Sequence, residues 1–233
     1  MPVIWPAALV HIFTACGAVC GLFAMRAVWA GAWEAVFGWL GAALVIDALD
    51  GTFARLANVQ ARLPRFSGER LDLVVDYVTY VFVPTAALWR AGFLGGVAGS
   101  ALGALILLSS LYHFADMQSK TEDHCFVGFP AIWNVVAFYV FAVGIPATLA
   151  CFVAVVCVAL TFVPLRWAHP LRTARLLPVT LGVVLAWSIA AGATLVVGFP
   201  APLPLRAVLL LAAAYGIGLA LQSTFFAHAR RAP

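Results

Sequence analysis

Polar positions along this chain are sparse, and they fall between long apolar runs that recur from one end to the other. The runs last about 18 to 25 residues, the length a helix needs to cross the hydrocarbon of a bilayer. Eight spans are predicted, at about 6–25, 35–57, 68–88, 94–115, 126–144, 145–163, 178–198 and 205–226. Trp5 and Trp29 flank the first as interfacial anchors. The stretch 58–67, with Arg62, Pro64 and Arg65, is too short and polar to span and is expected at the interface. Pro146 separates the fifth and sixth spans in a tight turn, and the proline-rich link from Phe199 to Pro204 separates the last two. The expected fold class is an all-α integral membrane protein of about eight transmembrane helices, forming a single membrane domain over 1–233.

Composition strengthens this picture. Of 233 residues, 65% are hydrophobic and 9% charged, whereas roughly a quarter of the residues of a soluble domain are charged. No Lys or Arg precedes Arg26, so the basic region of a signal peptide is missing and the first run is expected to be retained as a helix. The net charge of +4 is spread too widely for a nucleic-acid footprint. Its placement sets an orientation instead. With eight alternating helices, Arg55, Arg62, Arg65, Arg70, Lys120, Arg166, Arg172, Arg175, Arg230 and Arg231 collect on one face, against Arg26, Arg90 and Arg206 on the other. The first face is expected to be cytoplasmic, with both termini inside. The five cysteines show no Cys-x-x-Cys pair and read as small apolar-run residues rather than disulfides or zinc ligands. His11, His113 and His169 lack metal-ligand spacing.

Chemistry concentrates between Asp47 and Asp76. Carboxylates at membrane depth are costly and mark functional sites. Asp47 and Asp50 are three apart on the second span; Asp72 and Asp76 are four apart on the third, so each pair shares a helix face. Four carboxylates at one site need positive charge among them. Hard divalent cations with oxygen ligands, Mn2+ or Mg2+, answer that need, and two such ions would form a template for phosphoryl transfer. Gly51, Ala54 and Gly68 remove bulk beside the acids and let a flat or phosphorylated ligand approach; Arg55 offers a fork for phosphate. Two other readings stand beside this one. A structural Asp–Arg network would need fewer acids. A cation transporter would also use intramembrane carboxylates, but its usual internal repeats are not visible and these acids sit near one surface.

The pattern Asp47-x-x-Asp50-Gly51-x-x-Ala54-Arg55, then Gly68-x-x-x-Asp72-x-x-x-Asp76, resembles the signature of the CDP-alcohol phosphotransferase family, with all eight fixed positions present. Twelve residues separate the halves where eight are usual, a spacing similar to the bacterial phosphatidylcholine synthases. Segments 71–84, 109–116, 126–134 and 160–164 also resemble that subfamily. The resemblance implies a six-helix catalytic core over about 6–177 with two additional helices over 178–233, in a bacterial inner membrane, as a possible homodimer. It implies transfer of the phosphatidyl group of CDP-diacylglycerol to choline, with release of CMP. Asp47, Asp50, Asp72 and Asp76 then correspond to the metal ligands, with Asp76 also the general base. Asp47, Gly51, Ala54, Arg55 and Gly68 correspond to the part that receives the cytidine diphosphate.

A quaternary ammonium is usually held by an aromatic cage. Tyr77, Tyr80, Tyr112 and Trp133, with Phe129, lie on the side where such a cage is needed. Each ring alone is explained equally by helix packing. Serine, inositol phosphate or glycerol phosphate remain alternative acceptors at this stage; an anionic one would want extra cations near the motif.

Overall fold

The computed structural model describes residues 4–119, 125–168 and 177–229. Lys120, Glu122, Asp123, His124, His169, Arg172, Arg175, Arg230 and Arg231 lie outside the described residues, and with them part of the charge asymmetry read from the sequence. The chain order is α1 (Trp5–Ala30), α2 (Trp33–Leu56), α3 (Val59–Arg62), α4 (Gly68–Asp76), a π-helical stretch (Tyr77–Phe82), α5 (Val83–Arg90), α6 (Gly96–Ala115), β1 (Cys125–Val127), α7 (Trp133–Val143), α8 (Ala147–Thr161), β2 (Arg166–Ala168), α9 (Leu177–Val197) and α10 (Leu203–Ala229).

Among the described residues, six helical segments are long and apolar enough to cross a bilayer, with α4, the π stretch and α5 running together as one from Gly68 to Arg90. The protein is a multi-pass, all-α membrane protein. Two of the eight expected spans come out short: α7 has 11 residues and α8 has 15. The fifth expected span, 126–144, is corrected at its start. Cys125–Val127 pairs as a strand with Arg166–Ala168, antiparallel with Phe126 opposite Trp167. Past the strand, the Gly128 and Phe129 amides donate to the carbonyls of Leu165 and Leu160, so this segment is held extended and the helix begins only at Trp133. Pro130 suits that extended approach, because the residue before a proline is pushed away from helical geometry.

The α1–α2 hairpin forms because both partners are apolar helices joined by almost no chain. Gly31, at φ 68°, closes α1 in the left-handed conformation, and its N–H returns to Ala27 and Val28. The first half of α1 therefore lies along the second half of α2. Against this hairpin α4 packs closely. A Cβ on Gly17 would meet Val75 Cγ1 at 2.6 Å, and one on Gly21 would meet Val78 Cγ1 at 2.9 Å. Small residues four apart are the usual means of bringing two membrane helices together.

The Gly68–Arg90 helix is the central one: half of its spanning window is buried, against 17% for α9 and 11% for α10. Its start is capped by Ser67, whose hydroxyl accepts the Arg70 amide at 3.2 Å. Its middle is widened where Pro84 has no N–H to give and crowds the carbonyl four residues earlier. The Thr79 and Thr85 hydroxyls donate back to the carbonyls of Val75 and Val81 at 3.0 and 2.7 Å. Beyond this point the helix carries Val81, Val83, Ala87 and Leu88 into the main apolar cluster, where Phe37 meets Phe138 and Phe141 edge-on. The α9–α10 pair docks on α7: Tyr139 donates to the Leu209 carbonyl at 2.7 Å and accepts the Trp187 indole at 3.1 Å.

Candidate active site

Three helices meet where the acids are. Because the hairpin sets residue 14 beside residue 50, the Thr14 hydroxyl donates to Asp50 Oδ2 at 2.8 Å, and Asp50 is only 8% exposed. Asp47, one turn earlier on α2, accepts the Tyr80 hydroxyl from the π-helical stretch at 2.5 Å. Asp72 arrives on α4, which Gly17 has let in against α1, with Gly21 admitting the π-helical stretch just beyond it. Asp47, Asp50 and Asp72 each present a carboxylate oxygen, and these oxygens lie within 4.8 Å of one another. Asp76 sits one turn beyond Asp72, half-buried, and is not a member of this close group.

Asp50 and Asp72 open onto a cavity of about 650 Å³, whose lining does not include Asp47 or Asp76. Asp50, Gly51, Ala54, Arg55, Gly68 and Asp72 all line it. The residues singled out for small size or phosphate-binding fork thus surround one space rather than being scattered. Arg55 holds its guanidinium by donating to Thr52 Oγ1 at 3.0 Å, and its Nη1 lies 3.6 Å from the place a Cβ on Gly51 would take. The donor set suits a hard divalent cation: three carboxylates, from two helices, with no sulfur or imidazole in the group. Cys20 and Cys125 are buried, while Cys16 is exposed.

No family model matches the chain. Curated proteins do. A phosphatidylcholine synthase from Bradyrhizobium diazoefficiens is 45% identical over 180 residues, which is 77% of this chain and 67% of the relative. One from Pseudomonas aeruginosa is 39% identical over 213 residues, covering 91% of this chain and 89% of its own. A third, from Agrobacterium fabrum, is 40% identical over 193 residues, 83% of this chain and 80% of its own. The chain belongs to the phosphatidylcholine synthase family.

In this phosphatidylcholine synthase family member, the aromatic residues singled out from the sequence are distributed as follows. Tyr80 is buried, with its hydroxyl on Asp47. Tyr77, half-buried, donates to the Leu107 carbonyl at 3.2 Å and meets the ring of Phe114. Trp133 is wholly buried; its indole donates to Ser110 Oγ at 2.9 Å and its ring meets Phe129 edge-on. Tyr112 is exposed and packs on Phe162. Each ring has a different neighbour, so the structure gathers the acids more tightly than it gathers the aromatics.

Two residues of the site were not assigned to it from the sequence, Thr14 not at all and His11 only weighed as a metal ligand. Thr14 and His11 both line the cavity from α1. A threonine in an apolar helix carries no signal of its own, and its partner Asp50 is 36 positions away. Only the hairpin register reveals the pair.

Proposed function

We propose that this chain transfers the phosphatidyl group of CDP-diacylglycerol to choline and releases CMP, working at the cytoplasmic side of a bacterial inner membrane. The observation that carries the reading is the close carboxylate group of Asp47, Asp50 and Asp72, of which Asp50 and Asp72 line a cavity together with Gly51, Ala54 and Gly68. Asp47, Asp50 and Asp72, joined by Asp76, hold Mn2+ or Mg2+, which supplies positive charge against the diphosphate and the departing CMP. Arg55 adds a second cationic contact to the same phosphates. The small residues admit the nucleotide, while the two acyl chains stay among the apolar helix faces.

Asp76 takes the choline proton. The hydroxyl oxygen then attacks the phosphorus that bears the diacylglycerol, a new P–O bond forms, and the bond to the CMP oxygen breaks. No covalent enzyme intermediate is needed, since donor and acceptor are held together. Tyr77, Tyr80, Tyr112 and Trp133 are the aromatic residues from which the trimethylammonium group finds cation–π partners.

The test is CMP release by the detergent-purified protein given CDP-diacylglycerol with Mn2+ or Mg2+ and, in turn, choline, serine, inositol phosphate and glycerol phosphate. Choline-dependent release that stops on adding chelator is the expected result. Equal turnover of serine overturns the acceptor assignment. Metal-dependent cation flux in liposomes without CMP release overturns the enzyme reading altogether.

A further inference from the structure

His11 lines the cavity, yet nothing in the proposed chemistry uses it. Its Nε2 is buried and has no hydrogen-bond partner among the described residues. Such an atom is costly to leave unmatched, and an uncompensated one calls for an explanation such as a missing ligand. The imidazole Cε1 lies 3.3 Å from where a Cβ on Gly68 would sit, and the ring of Phe66 stands 6.4 Å away, centroid to centroid. A half-turn about χ2, a broad two-fold torsion, puts Nε2 where Cε1 now is, facing the space beside Gly68.

Helix geometry assigns that space to one part of the donor. Thr14 marks the carboxylate level by its bond to Asp50. His11 is three residues before Thr14, about 4.5 Å nearer the α1 N-terminus. Ala54 is four residues after Asp50 and Gly68 four before Asp72, each about 6 Å away along its own helix in the same direction. His11, Ala54 and Gly68 therefore form the next layer outward from the acids. If the diphosphate occupies the acid layer, as the proposed function requires, the nucleoside occupies the layer of His11.

We propose that His11 is a donor-binding residue whose imidazole nitrogen hydrogen-bonds the nucleobase of the cytidine nucleotide and helps select it over other pyrimidines. Cytosine and uracil differ at the ring edge, in the 4-amino group and N3: with the proton on Nδ1, Nε2 accepts the 4-amino hydrogen of cytosine and meets only the O4 acceptor of uracil. The proposal rests on the donor-cavity reading above, and the experiment separates the two.

Binding of CMP and UMP to the purified protein with Mn2+ is measured by titration calorimetry, for the wild type and for His11→Phe. Phenylalanine keeps a ring against Phe66 and Gly68 but removes the nitrogen. The wild type is expected to prefer CMP. In His11→Phe, CMP affinity is expected to fall about ten-fold with UMP nearly unchanged, while the thermal midpoint of the ligand-free protein stays level or rises. An unchanged CMP-to-UMP ratio in a folded variant overturns the role of His11 and leaves the function standing. Failure of the wild type to bind CMP overturns the donor-cavity reading itself. Should the larger ring lower the thermal midpoint, His11→Ala is read by the same ratio, collapse supporting the proposal and persistence overturning it.

Discussion

Replacing Tyr80 by phenylalanine separates two roles that a tyrosine in this place could have. The hydroxyl donates to Asp47 Oδ2 at 2.5 Å, inside a site where Tyr80 itself is 8% exposed. Tyr80→Phe keeps the ring and its negative face, so any cation–π contact with choline is retained. It removes only the bond that orients Asp47. Hydrogen bonds to charged groups are worth about 1.5–3 kcal/mol, which is a weakening of roughly 10- to 150-fold at a carboxylate whose position depends on that bond. Some of the loss is recovered if water reaches the vacated place, so the lower end is expected. The assay is CMP release against Mn2+ concentration at saturating choline, paired with the choline KM at saturating Mn2+. The half-saturating metal concentration should rise about ten-fold, with the choline KM within two-fold of wild type. An unmoved metal midpoint with a raised choline KM would refute the reasoning: Tyr80 would then act on the acceptor and not through Asp47.

Other expectations follow from the same contacts. Thr14→Val is nearly isosteric and strips the 2.8 Å bond from buried Asp50, so metal titration of turnover should shift to higher concentration by about five- to ten-fold with the helical circular dichroism unchanged. Gly17→Ala would force a Cβ to 2.6 Å from Val75 Cγ1; a loss of about 1–3 kcal/mol is expected, read as a lower thermal midpoint in detergent and partly restored by Val75→Ala. Asp76→Asn should abolish turnover while leaving Mn2+ binding measurable by calorimetry; near-normal turnover would remove Asp76 from the role of base.

How the chain revealed itself depended on how far apart the informative residues are. The acids were legible because their partners on each helix are three or four positions away, within the reach of helical periodicity. The eight apolar runs located every long helix for a similar reason, since length and composition are local. The strand pair of Cys125–Val127 and Arg166–Ala168 was not legible. Cys125-Phe126-Val127 looks like the start of an apolar helix and Arg166-Trp167-Ala168 like part of a basic loop, and their pairing spans some forty positions. Tyr80 was singled out for its ring, but its hydroxyl is what the structure puts to use, across 33 positions on Asp47. Its direction depends on the π-helical stretch, which no periodicity in the sequence announces.

That stretch has a consequence for how the gene can vary. A π-helical turn holds one more residue than the α-turn it replaces, and each residue in an α-helix advances the chain by about 100°. Asp72 and Asp76 lie before Tyr77–Phe82, while Val83, Ala87 and Leu88 lie after it. Deleting one codon within Tyr77–Phe82 would restore a regular helix and at the same stroke swivel its two halves relative to each other. Either the acidic end would miss its partners on α2 or the apolar end would miss Phe37 and its neighbours. A point substitution here leaves that phase intact, whereas a change of length does not, so this short stretch works as the phase marker of the whole bundle.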